Sequence, residues 1–264
     1  MNQILPKSTL PLFLGTVFSL FAFKNDCKKE IVDPEVQRDI RILKNHISAV
    51  SNPYLAIAIK DALLNIELVT TLNREDTRQG GSTICKYDTE IGLPKSYTIG
   101  YSKNSAGTLL HELIHVSVNQ NLLQDFVNYK SLIKENPVVP QYVADGVRSN
   151  ENLRQAKWMD PGENAKRTEQ MQKIVSLTDI CTKLRPEVKM YIKDKCSYAS
   201  INPHIEYSTT IVQLAYYMFL QGFPVKNAPV NTPENNLYLE IDKALIEDLK
   251  ARNVITTCLL NYPN

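Results

Sequence analysis

Histidine is scarce in this chain: four residues, His46, His111, His115 and His204, among 264. Two of them falling one helical turn apart is therefore informative. The five cysteines, Cys27, Cys85, Cys181, Cys196 and Cys258, form no C-x-x-C pair and no cluster with histidine, which argues against a structural zinc site. Their odd number leaves at least one thiol unpaired. Cys181 and Cys196 flank a predicted helical hairpin and can be bridged if the protein is exported; buried reduced thiols are the alternative, since free cysteine packs as a small hydrophobe. An excess of one charge is also missing. The formal net charge is +2 and the basic residues are scattered without a run, so nothing points to nucleic acid or to an anionic membrane surface. Internal repeats and low-complexity tracts are absent.

Long apolar runs are nearly absent. The longest, residues 10–23 (LPLFLGTVFSLFAF), follows Lys7 and precedes Lys24. At about fourteen residues it is too short for a stable membrane span but fits the core of a secretory signal. Residues 1–26 are thus expected to be a signal peptide or an apolar leader that docks on the fold. Export or secretion is the leading expectation, with a cytoplasmic protein or a delivered effector as alternatives. The whole chain is 43% hydrophobic and 22% charged, and the remainder, 27–264, reads as a single domain able to bury a core.

The pattern of that remainder is mostly helical. Asp33-Pro34-Glu35 starts a helix running to about residue 50, and Asn52-Pro53 starts another that fades near residue 73. Residues 82–88 and 96–102 read as short strands, the second with Tyr97, Ile99 and Tyr101 on one face; its free edge could pair with an extended peptide. A central helix is expected from about 105 to 126 or 130, a loop at 136–146, and further helices at about 150–158, 163–184, 186–195, 205–222 and 232–252. The expected class is α+β, predominantly helical, with a small antiparallel sheet before the central helix.

That central helix carries the chemistry. Residues 109–116 read Leu-Leu-His-Glu-Leu-Ile-His-Val. A spacing of four stacks His111 and His115 on one helix face. Glu112 lies beside the first imidazole, where its carboxylate can reach a water held by a metal that both rings bind. Leu109, Leu110, Leu113, Ile114 and Val116 wrap the trio, so the turn should be buried. Two imidazoles and a carboxylate buried without partners are costly, and a divalent cation supplies the compensation. The pattern predicts one catalytic Zn2+ and a hydrolase acting on a protein or peptide substrate.

Catalytic zinc needs a third protein ligand and an open fourth position. Glu206, in the first turn of a strongly apolar helix, is the first choice, although an acid there also suits the helix dipole without any metal. Glu151 and His204 are the next candidates, followed by acids such as Asp145 or Glu163. His-Glu-x-x-His on a helix, preceded by a strand and followed at a distance by a helical glutamate, resembles the gluzincin branch of zinc metallopeptidases. The resemblance covers this short motif and a coarse order of elements. It implies a zincin-like core, and the long interval to Glu206 implies a helical insertion at about 135–198. No glycine and third histidine follow His115 in the manner of the metzincins.

In that reading Glu112 is the general base and Tyr207 or His204 stabilises the oxyanion, with Tyr142 a weaker choice. The competing reading is a zinc-binding protein without turnover, structural or engaged in interactions. A third is an interaction protein without metal. Cleavage specificity and oligomeric state leave no mark in the sequence.

Overall fold

The computed structural model describes residues 33–75, 80–87, 94–102, 105–133, 161–223, 231–252 and 254. The predicted leader, the loop at 136–146 and the helix at 150–158 lie outside these residues, as do Cys27, Cys258, Tyr142, Asp145 and Glu151.

Proline sets most helix starts. The helices are α1 (Pro34–Ala49), α2 (Pro53–Leu64), α3 (Ala106–Ile133), α4 (Pro161–Ile180), α5 (Pro186–Ile201), α6 (Pro203–Leu220) and α7 (Pro233–Ala251). All but α3 open on proline, whose fixed φ suits the first turn and whose missing N–H is not needed there. Side-chain caps reinforce three of them. Asp33 accepts the Glu35 N–H, Asn52 accepts those of Tyr54 and Leu55, and Thr232 accepts that of Asn235. Gly222 closes α6 at φ +82°, where the N–H of Phe223 bonds back to the Met218 carbonyl; a left-handed residue at this point is the usual helix stop.

The second helix is shorter than the sequence predicts. It ends at Leu64, a 3-10 turn covers Asn65–Leu68, and the expected helix tail becomes strand β1 (Val69–Glu75). Val69, Thr70 and Thr71 are β-branched in succession, which disfavours helix and suits a pleated strand. Strands β2 (Gly81–Tyr87) and β3 (Pro94–Ser102) follow, in the spatial order β1-β3-β2. β2 pairs antiparallel with β3, and β1 pairs parallel with β3 on its other side. The sheet is therefore mixed, not antiparallel as expected, and β3 is its central strand. The free edges belong to β1 and β2, which removes the proposed peptide-binding edge from residues 96–102.

The sheet packs one face on α3, through β2 and β3. Tyr97, Ile99 and Tyr101 point together into the core, all nearly inaccessible. Their polar tips are satisfied: Tyr101 donates to Asp39 on α1 at 3.0 Å, and the Tyr97 hydroxyl accepts from Gln120 on α3 at 2.7 Å. Helix α3 lies between the sheet and α6, with α1 and α2 alongside, while α7 packs on α2, α4 and α6. The described part of the predicted insertion, α4 and most of α5, packs on α6 and α7 within the same compact unit. Cys181 and Cys196 are unbridged and buried there, and burial pushes their thiols up to about 11 and about 12.

Beneath α6 and α7 lies a buried ionic cluster. Arg252 bonds Asp248 at 2.9 Å with both side chains fully inaccessible, Asp248 also accepts from Ser208, and Asp61 on α2 stands 4.0 Å from Arg252. Removing one member strands the others in a poorly solvating interior. Arg252→Met is expected to destabilise the fold by about 3–5 kcal/mol in urea unfolding; a loss below about 1 kcal/mol, the range of an exposed pair, would show the cluster to be incidental.

Candidate metal centre

Ser105 opens α3 by accepting the Thr108 N–H on its hydroxyl at 3.0 Å. The helix then carries the motif into the middle of the molecule. Leu109, Leu110, Leu113, Ile114 and Val116 are all at zero exposure, as their aliphatic character predicts. Gly107 sets how closely α6 can approach. A Cβ at this position would lie 3.0 Å from the Tyr217 hydroxyl and 3.2 Å from its ring, so a larger residue would have to displace the Tyr217 side chain. The helices run antiparallel, with Gly107 facing Tyr217, His111 facing Gln213 and His115 facing Glu206.

This antiparallel register brings His111, His115 and Glu206 together. The imidazoles meet edge to face with centroids 5.0 Å apart. Glu206 Oε2 stands 3.3 Å from His111 Nε2, and Oε1 stands 3.7 Å from His115 Nε2. One carboxylate thus spans both rings. The three side chains retain only 9, 12 and 13% exposure, and their ligand atoms lie within 4.8 Å of one another. They can hold a metal ion. Ligand atoms bound at about 2.0–2.1 Å to one tetrahedral ion stand roughly 3.3 Å apart, so the triad would draw together around an ion.

The proton on His111 is placed for the same purpose. Its Nδ1 lies 2.8 Å from Gln213 Oε1, and a carbonyl oxygen can only accept. Nδ1 therefore carries the hydrogen and the Nε2 lone pair faces Glu206, as a metal-binding histidine requires. Burial alone would raise the Glu206 carboxyl, but when no metal is bound and the imidazoles are protonated, the bond from His111 and the charges of His115 and His111 bring it down to about 2. The carboxylate is ionised over the whole neutral range.

Glu112 stands outside this triad and is held differently. It is 4% exposed. Thr83 on β2 donates to its Oε2 at 2.7 Å, with the same hydroxyl 3.1 Å from the Glu112 carbonyl. Gly81 leaves the space that the carboxylate fills: a Cβ there would collide with it. Burial raises the Glu112 carboxyl above its ordinary value, and the Glu206 charge adds to that. His111, the Thr83 bond and Lys195 work in the opposite direction without cancelling it. A carboxyl whose proton affinity is raised is suited to accept a proton.

The triad and Glu112 open onto a cavity of about 350 Å3, at the small end for ligand sites. Gly80 and residues 81–83 of β2 form one wall; Tyr191, Lys195 and Tyr198 of α5 form another.

Of the other predicted residues, Tyr207 is absent from this cavity. It faces away, under the guanidinium of Arg167 at 5.4 Å, and lines a separate cavity of about 320 Å3. Neighbouring helical residues point about 100° apart, and here that rotation carries Tyr207 to the second cavity while Glu206 faces the first. Glu163 borders that second cavity. The side chain of His204 lies outside the described residues. His46 is spent on packing, with Nδ1 2.9 Å from the Tyr216 hydroxyl and its ring against Phe219. Gln213, Thr83, Gly81, Tyr191 and Lys195 escaped sequence reasoning. Only Gln213 left a trace, as a polar residue two turns after Glu206 on an otherwise apolar helix.

Comparison with protein-family models, with curated proteins and with solved structures yields no match to this chain.

Gln213→Leu removes the acceptor that orients His111 and is expected to weaken the affinity for a divalent metal by about 10–100-fold, measured by competition with a chromophoric chelator. In the same assay Glu206→Gln should bind far more weakly than the parent. Unchanged affinity in Glu206→Gln would transfer the third ligand to another carboxylate, such as Glu151.

Proposed function

We propose that this protein is a zinc-dependent peptidase with a zincin-like core, in which His111, His115 and Glu206 hold the ion and Glu112 is the general base. One observation carries the reading: a single ionised carboxylate spans two inward-facing imidazole nitrogens, while a second carboxylate of raised proton affinity stands beside them on the same cavity. The first arrangement suits binding and the second suits proton transfer. The donor set of two imidazoles and one carboxylate is the choice of catalytic zinc sites, which keep a fourth position for water or substrate. Zinc bound here would supply a Lewis acid and a water acidified to a pKa of about 7.

The chain's own residues do the rest. Glu112 takes the proton released as water attacks the peptide carbonyl, then passes it to the leaving amine. Thr83 holds the carboxylate by donating to it, and Gly81 leaves the space it occupies. Tyr191 replaces Tyr207 as donor to the developing oxyanion. Its hydroxyl is buried on the cavity wall near Gln213, and burial together with Tyr217 pushes its pKa well above the ordinary phenol range. It therefore keeps its proton at neutral pH and can donate. A donor buried in a site that excludes water acts more strongly than one in solvent.

Edge strand β2 suits an extended peptide. Its outer side, unpaired among the described residues, offers backbone N–H and C=O groups, and residues 80–83 run past Glu112. Strand addition would lay the scissile bond across the triad. A structural metal site offers a poorer account, since such sites close with four protein ligands. Three converge among the described residues, and they face a cavity.

Zinc-loaded Glu112→Gln is expected to lose peptide hydrolysis by about 10²–10⁴-fold while keeping its metal. Hydrolysis at the parent rate in that variant would sink the assignment. Tyr191→Phe should lower kcat by about 10²–10³-fold with little change in KM; a pure rise in KM would make Tyr191 a binding residue instead.

A further inference from the structure

The α5 wall carries a charge that the proposed chemistry does not use. Tyr191, Lys195 and Tyr198 follow one another at intervals of four and three residues, so they share one face of α5, and all three line the cavity. Lys195 is the one cation lining the cavity among the described residues. It makes no salt bridge with any described carboxylate, and its ammonium lies 5.9 Å from the Tyr191 ring centroid. The charges around it are uneven. Glu112 and Glu206 are offset by a divalent ion in the proposed site, which leaves the lysine as the surplus charge. A positive group facing a half-enclosed cavity attracts a negative ligand more strongly than one on open surface.

We infer that Lys195 receives a carboxylate of the bound peptide, so that the site selects substrates bearing a negative charge close to the scissile bond. The inference rests on the peptidase reading for its ligand class, and names the substrate within it. The position fits. Lys195 lines from α5 the same cavity that β2 lines, and a peptide paired with the edge strand would point alternate side chains to opposite faces. Two groups can provide the carboxylate: an acidic side chain beside the cleaved bond, or the free C-terminus of a short peptide. Tyr198, half exposed at the rim, and Ile205 supply apolar surface around that position.

Lys195 also stands near enough to Glu112 to favour its charged form, so substrate selection must be separated from an effect on the base. Zinc-loaded full-length Glu112→Gln does this, because the base carries no charge and bound peptide is not consumed. Three fluorescent peptide pools serve as probes: neutral with amidated ends, acidic with amidated ends, and neutral with a free C-terminus. One of the two carboxylate-bearing pools is expected to bind at least about tenfold tighter than the neutral amidated pool, the size of one charge-assisted hydrogen bond. The pool that gains identifies the source. Adding Lys195→Met should erase the difference, Lys195→Arg should restore it, and Lys195→Glu should turn the preference toward basic peptides. Equal binding of all pools by the parent overturns the inference, as does a uniform loss across pools in Lys195→Met. Selective binding combined with no hydrolysis by the zinc-loaded wild type overturns the peptidase reading and leaves this inference standing.

Discussion

Packing α3 against α6 buries two imidazoles and two carboxylates inside an aliphatic shell, and each of their polar atoms has to be satisfied there. The rest of the site follows from that requirement. Gln213 takes the Nδ1 hydrogen of His111, Glu206 faces both Nε2 atoms, and Thr83 takes one oxygen of Glu112. What is left over is two imidazole Nε2 atoms and a carboxylate converging on one place. An interior of low polarity penalises such a concentration unless a cation completes it. The aliphatic wrapping thus sharpens the demand for metal as well as hiding the motif from solvent.

The two walls of the cavity come from different kinds of structure. β2 brings backbone and small residues close to Glu112, which only a glycine at position 81 permits. α5 brings long side chains: two tyrosines and a lysine. One wall therefore suits main-chain recognition, which is indifferent to sequence, and the other suits discrimination among side chains or chain ends. Both are supported on rigid elements, the first through the sheet on α3 and the second through packing on α4 and α6.

The sequence made some of this legible and hid the rest for physical reasons. The His111–Glu112–His115 unit is local, and helical periodicity alone puts it on one face, so it could be read directly. The helix starts were readable because proline and capping residues act within a turn. Glu206 was readable only as one candidate among several, since a first-turn acid has its own electrostatic reason to be there. β1 was missed because no glycine or proline separates it from α2, and its β-branched start was outweighed by the preceding helical pattern. The parallel pairing of β1 with β3 depends on tertiary packing and has no short-range signature. Thr83 and Gln213 lie far along the chain from the residues they hold. Tyr207 failed for the opposite reason: closeness in sequence to Glu206 suggested a shared site, while the helix turned its ring to the other side.

The three ligands also have a mechanical meaning. His115 and Glu206 are separated by about ninety residues of chain, so an ion shared between them fastens a long loop at its two ends. A tie of that span removes far more freedom from the unfolded chain than from the folded one. An ion that recognised the assembled triad would feed its free concentration directly into the folding equilibrium, adding about 2.7 kcal/mol at a hundred times its Kd. Metal supply would then govern how long the protein survives. In a metal-poor setting the same three side chains would turn from a fastening into an unmet electrostatic demand.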